Sequence, residues 1–124
     1  MKNFLSLIFL TFSFLTYSQN VAPTVADAAV TITEGATSQT INVTVSDDDS
    51  GDTWTLSVVS APSVGTVTVN GNLSFTYDHD GSEGNEVTFT YRATDDKNNE
   101  SSIATVTITV TGVNDMPTVE EITK

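Results

Sequence analysis

The chain has no cysteine, one histidine, one tryptophan and only four lysines and arginines among its 124 residues. Without cysteine there is no disulfide, and small secreted domains deprived of that cross-link commonly use a bound metal as their staple. Against sixteen aspartates and glutamates the few cations leave a formal charge of −12. That sign excludes nucleic acid as a partner, because phosphate binding needs clustered Lys and Arg. Catalysis also finds little to work with. No thiol nucleophile, no Gly-x-Ser-x-Gly elbow and no glycine-rich phosphate loop is present, and the sequence reads as a non-enzyme. His79 lies between Asp78 and Asp80, and an exposed loop histidine in an acidic run is expected to be a bystander. A carboxylate pair for glycoside hydrolysis would need a cleft, for which a small sandwich with short loops has little room.

Positions 1–18 have the pattern of a secretory leader. Lys2 supplies the positive start, Phe4 to Leu15 is apolar apart from Ser6, Thr11 and Ser13, and Thr16-Tyr17-Ser18 offers small residues before Gln19. The apolar run is shorter than the roughly 20 residues that span a bilayer, so no membrane-spanning segment is expected once the leader is removed. No cysteine follows it, which argues against a lipid anchor. The expected location is secreted, extracellular or at the cell surface, and the processed chain carries −13 because Lys2 leaves with the leader.

From Pro23 onward the apolar residues alternate with polar ones, the period of half-buried strands. The inward rows read Val30 and Ile32, then Ile41, Val43 and Val45, then Trp54, Leu56 and Val58, then Val67 and Val69. They continue through Leu73, Phe75 and Tyr77, then Val87, Phe89, Tyr91 and Ala93, and finally Ala104, Val106, Ile108 and Val110. The intervening residues are mostly threonine, which suits an exposed pleated face. Seven strands with frequent turns predict an all-β, seven-stranded immunoglobulin-like antiparallel β-sandwich. Trp54 is expected in its core, and Tyr91 has the spacing of a tyrosine corner. For Asn70-Gly71-Asn72 the alternation favours a three-residue hairpin loop pairing Val69 with Leu73 and Val67 with Phe75, with Gly71 or Asn72 left-handed.

Asn20-Val21-Ala22-Pro23-Thr24-Val25 returns as Asn114-Asp115-Met116-Pro117-Thr118-Val119, 94 positions later. Such a period signals an array of stacked units. The organisation expected is a leader over 1–18, a leading linker over 19–25, one sandwich over 26–112, and over 113–124 a trailing linker with the start of another repeat.

Because connections alternate between the ends of such a sandwich, acidic loops far apart in sequence collect at two poles. The leading pole gathers Asp47, Asp49 and Asp52 with Asp95. The trailing pole gathers Glu34, the run from Asp78 and Asp80 to Glu83 and Glu86, and Asn114 with Asp115. Clustered carboxylates repel one another, and Ca²⁺ resolves this by taking about 6–8 hard oxygen ligands. Solubility alone would also explain acidic loops, but Asp47-x-Asp49 with Asp52 close behind is tighter than solubility requires. An EF-hand is excluded, since Asp52 and Val58 stand where its glycine and closing glutamate belong.

Phe75-Thr76-Tyr77, Phe89-Thr90-Tyr91, Thr94-Asp95, Ala104 to Val110 and Val113-Asn114-Asp115-Met116-Pro117 together resemble a bacterial cadherin-like, VCBS-type tandem repeat of large secreted adhesins. The resemblance covers about Val21 to Val119. It implies calcium held between successive modules, by Glu34, Asp78 or Asp80, Glu83 or Glu86, Asn114 and Asp115 on one side, and by Asp47, Asp49 and Asp95 on the other. The linker departs from the family pattern, with Gly112 for its leading Asp and Met116 for its final Asn. It implies an adhesion or spacer module whose partners are neighbouring repeats, other surface proteins or glycans. The alternative is a carbohydrate-binding sandwich, against which stands the inward phase of Trp54, Phe75, Tyr77, Phe89 and Tyr91.

Overall fold

The computed structural model describes residues 19–71 and 73–116. The expected leader and the repeated phrase from Pro117 onward lie outside these residues, as does Asn72. Among the described residues the chain forms strand segments only: β1 (Thr24–Val25), β2 (Ala28–Thr33), β3 (Gln39–Asn42), β4 (Val45–Ser46), β5 (Trp54–Ser60), β6 (Thr66–Asn70), β7 (Ser74–Asp78), β8 (Glu86–Asp95) and β9 (Ala104–Thr111). β1 is a correction, since it lies in the segment expected as the leading linker, and Ala26-Asp27 separates it from β2, the expected first strand. β3 and β4 are the expected second strand, broken at Val43-Thr44.

Two main sheets form the sandwich, ordered β2-β9-β8-β5 and β3-β7-β6, and β1 pairs with β4 in a short ladder. The break after β1 has identifiable contacts. The Tyr91 hydroxyl donates to the Ala26 carbonyl at 2.7 Å, and Asp27 accepts the Thr105 N–H at 2.7 Å. The chain thereby leaves β4 and crosses to β9, where β2 runs parallel, Ala28 opposite Val106 through Thr33 opposite Thr111. This corrects the all-antiparallel expectation at one pairing. The reason is topological: in an up-and-down chain the first and seventh strands run the same way, so whichever sheet unites them must be mixed. Tyr91 likewise reaches Ala26 rather than a nearby upstream carbonyl, so the expected tyrosine corner is replaced by a brace on the strand switch.

The core lies between the sheets. Phe75 on β7 meets Phe89 and Tyr91 on β8 edge-on, with centroids 5.1 and 5.3 Å apart. Around them Ile32, Ile41, Tyr77, Val87, Ala104, Val106, Ile108 and Val110 are buried. Most strand threonines face water as expected. Val43 and Leu56 only pack against this cluster from partly buried positions. Trp54 is a correction: it is half-buried at the start of edge strand β5, outside the core.

The β6–β7 hairpin has the expected loop length in a different register. Val67 faces Tyr77, Val69 faces Phe75 and Asn70 faces Ser74, so Gly71 and Leu73 fall in the connection. A shift of two keeps every side chain on its face, so alternation alone does not separate the registers. Asn70 decides it as a strand residue, its amide donating to the Ser74 and Thr76 hydroxyls at 3.2 and 3.0 Å. Leu73 then takes the left-handed conformation, φ 55°, where Gly71 or Asn72 was expected.

β8 runs from Glu86, beside Thr109 near the end of β9, to Asp95, which is bonded to Asn20. The segment around Asn20 and the one around Asn114 therefore leave from opposite ends of the four-stranded sheet.

Candidate metal centres at the two poles

The leading pole is built by the loop from Asp47 to Thr53 between β4 and β5. Asp47 accepts the Asp49 N–H at 3.0 Å, an Asx turn that folds the loop back on itself. Carboxylate oxygens of Asp47, Asp49 and Asp52 consequently lie within 4.8 Å of one another. Each has a distinct second contact. Asp49 accepts the Val21 N–H at 2.6 Å, Asp47 accepts the Trp54 indole N–H at 3.3 Å, and Asp52 accepts the Lys97 ammonium at 2.6 Å. The Asp52 side chain is 7% exposed. Its second oxygen is buried without a hydrogen-bond partner.

Lys97 also reaches Asp96, at 2.8 Å. The bond to Asp52, then that to Asp96, pushes the Lys97 pKa up, so the ammonium offsets part of the charge in this loop pair. An all-oxygen donor set suits a hard cation of the calcium class rather than one seeking nitrogen or sulfur. A buried, unpartnered carboxylate oxygen is the kind of group such an ion would satisfy. The residues present therefore fit calcium.

Asp95 is not brought into this cluster. Its oxygens accept the backbone N–H groups of Lys97 and Asn99, both at 2.8 Å, and the side-chain amides of Asn99 at 3.0 Å and Asn20 at 2.6 Å. Burial raises its pKa, but the bonds from Asn99, Asn20 and Lys97 outweigh this and hold it at about 2. Its acceptor sites are filled by the β8–β9 turn and the leading linker, so it knots those segments together. Because the folded pKa lies below the ordinary value of about 4, the ionised carboxylate stabilises the fold above that pH. This contribution is lost as pH falls through about 2. We expect Asp95→Asn to melt at lower temperature than the wild type at pH 6 and the gap to narrow toward pH 2, as read by thermal melts across that range.

At the trailing pole, carboxylates of Glu34, Glu83 and Asp115 lie within 4.8 Å of one another. Glu34, at the turn after β2, accepts the Val113 N–H at 3.0 Å and thereby holds the departing chain. Glu83 and Asp115 are exposed, so the group is wetter than its counterpart. Asp78 instead accepts the Ser38 N–H at 2.6 Å. Asp80 accepts the Ser82 N–H at 2.9 Å, and Ser82 holds its carboxyl below the usual range. Asp78 thereby ties the end of β7 to the segment before β3, whereas Asp80 caps its own loop. Glu86 opens β8, and Asn114 is exposed in the trailing linker.

His79, expected in an exposed loop, is 5% exposed. Its Nδ1 accepts the N–H groups of Gly35 and Gly81, both at 3.1 Å, so it ties the β2 turn to the loop after β7. Sequence reasoning also missed the Trp54–Asp47 and Lys97–Asp52 contacts. A lysine alone inside an acidic loop was the available signal for the second; for the first there was none.

Fold and poles together define an immunoglobulin-like β-sandwich with oxygen-rich acidic ends. A family model described as the bacterial cadherin-like domain matches residues 20–112. The chain belongs to that family, and so to the adhesion-type extracellular modules, which commonly bind calcium and are typically non-catalytic. No curated protein matches the chain. Among solved structures, the PKD domain of human KIAA0319, determined in solution, is similar at 14% identity and a TM-score of 0.47, covering 88% of this chain and 99% of that one. No helix among the described residues is long and apolar enough to cross a membrane.

Proposed function

We propose that this chain is a secreted, non-catalytic adhesion or spacer module of a tandem-repeat surface protein, and that it binds calcium at its poles. The observation that carries the reading is the Asp47, Asp49 and Asp52 group, with its buried, unpartnered Asp52 oxygen. Membership of the cadherin-like family supports it. So does the departure of the two linkers from opposite ends, which suits end-to-end stacking. Asp49 holds Val21, and Glu34 holds Val113. Both bonds tie a linker to a pole, so an ion at either pole would stiffen the junction with a neighbouring repeat.

The protein carries its own reporter, because the single tryptophan is bonded to Asp47. Calcium titrated at fixed ionic strength should shift Trp54 emission. Extracellular calcium modules bind with Kd on the order of 10⁻⁴–10⁻³ M. One such site at millimolar calcium then adds about 0.4–1.4 kcal/mol by mass action, a rise of several degrees in melting temperature. Replacing Asp47 and Asp49 together by Asn should remove the leading-pole share. Equal responses to calcium and magnesium would indicate charge screening and overturn the proposal.

A further inference from the structure

A cleft of about 270 Å³ opens between the free edges of the two sheets, lined by Trp54, Thr55, Leu56, Val69, Asn70 and Leu73 among others. No lining residue is charged, although the chain as a whole carries −12. β5 and β6 are the end strands of their sheets. One edge of each therefore presents backbone N–H and C=O groups without ladder partners. The wall is apolar, with Val69 41% exposed at the cleft and Leu56 and Leu73 partly buried behind it.

Two parts of the cleft are held in place before any ligand arrives. The Trp54 ring is tied through its N–H to Asp47, at 3.3 Å. The Asn70 amide is held by the hydroxyls of Ser74 and Thr76. Preorganisation of this kind lowers the entropic cost of binding. An aromatic ring, an apolar wall and nearby backbone donors and acceptors complement a ligand with one apolar face and a rim of hydroxyls.

We propose that this cleft is a binding site for one ring of a neutral oligosaccharide, stacked on Trp54. Three observations favour a sugar ring over the other occupant an open edge admits, an extended peptide adding as a strand. The bulge between Val58 and Ser60 interrupts the β5 ladder, and bulges disfavour strand addition by bending the edge. β6 offers only five residues. The cleft is compact, just under the roughly 300–1,000 Å³ of drug-sized sites. The missing charge selects against acidic sugars, which the negative field of the whole chain would also repel. The site adjoins the leading pole, whose Asp47 holds Trp54, but no carboxylate of that pole lines it.

The test is isothermal titration of the purified protein, at constant calcium, with cellohexaose, xylohexaose, maltohexaose and the hexamer of galacturonic acid. At least one neutral oligosaccharide should bind in the millimolar range and perturb Trp54 emission, and the galacturonic acid hexamer should not. Trp54→Ala, with its fold checked by circular dichroism, should weaken binding by about tenfold or more. Val69→Asp changes an exposed position and puts a carboxylate into the cleft, so it should also abolish sugar binding while leaving the calcium response intact. That response separates this site from the poles. No heat from any neutral oligosaccharide, or binding that survives both substitutions, would overturn the proposal. So would capture of an alternating Val-Thr octapeptide in place of sugar.

Discussion

Phe75→Ala is expected to destabilise the domain by about 3–5 kcal/mol, the range for removing a fully buried phenylalanine. Phe75 is 0% exposed and sits where the sheets meet, edge-on to both Phe89 and Tyr91. Truncation would remove both aromatic contacts, and β7 cannot move inward to fill the space because it is paired on both sides, to β3 and β6. Domains of this size have only about 5–15 kcal/mol of stability, so the variant should melt tens of degrees lower or fail to fold. Phe75→Leu keeps most of the volume and should cost under about 1.5 kcal/mol. Urea unfolding of both variants checks this, and a loss below about 1 kcal/mol for the alanine would refute the central place given to Phe75.

Gly65→Ala should cost about 2–5 kcal/mol, from two separable causes. Gly65 has φ 73°, and a Cβ there would stand 2.4 Å from the Asp78 carbonyl oxygen and 2.7 Å from the Tyr77 hydroxyl oxygen. The left-handed backbone alone costs an alanine about 1–2 kcal/mol. Forcing a methyl against backbone and a buried ring adds about 1–3 kcal/mol. The Tyr77 ring has no easy retreat, since its hydroxyl donates to the Val64 carbonyl at 2.8 Å. Gly81→Ala is the control: φ is 84°, but nothing lies within 4 Å of the added carbon. It should show the backbone cost alone, and equal losses at the two sites would contradict the clash.

The long strands were legible because their burial is one-sided. β8 and β9 alternate buried and more exposed residues from Val87 to Ala93 and from Ala104 to Val110, as period-two reading requires. The same rule misplaced Trp54. Being in phase with the interior does not bury a residue at the open end of an edge strand, where no opposing side chain covers it. It also left the hairpin register undecided, because a slip of two residues preserves every face.

The two acidic groups differ in how they could be read. Asp47, Asp49 and Asp52 fall within one short loop, so their meeting was visible in their spacing. Glu34, Glu83 and Asp115 meet only because β2 ends beside β9 and the loop after β7 returns to the same pole. Asp95 looked equivalent to the other acids, yet its partners include Asn20, 75 residues away. That contact makes it a knot between segments.

By itself the sequence determined an all-β chain, most of its inward rows, its acid-rich loops and the Asp47, Asp49 and Asp52 group, all of which follow from side-chain alternation and spacing within one segment. Only the tertiary structure decided that β2 crosses to run parallel with β9, that His79 is buried, that Lys97 pairs with one oxygen of Asp52 and that Trp54 faces a cleft. Each depends on which distant segment lies opposite. That choice is made by packing the whole chain, so no local pattern records it.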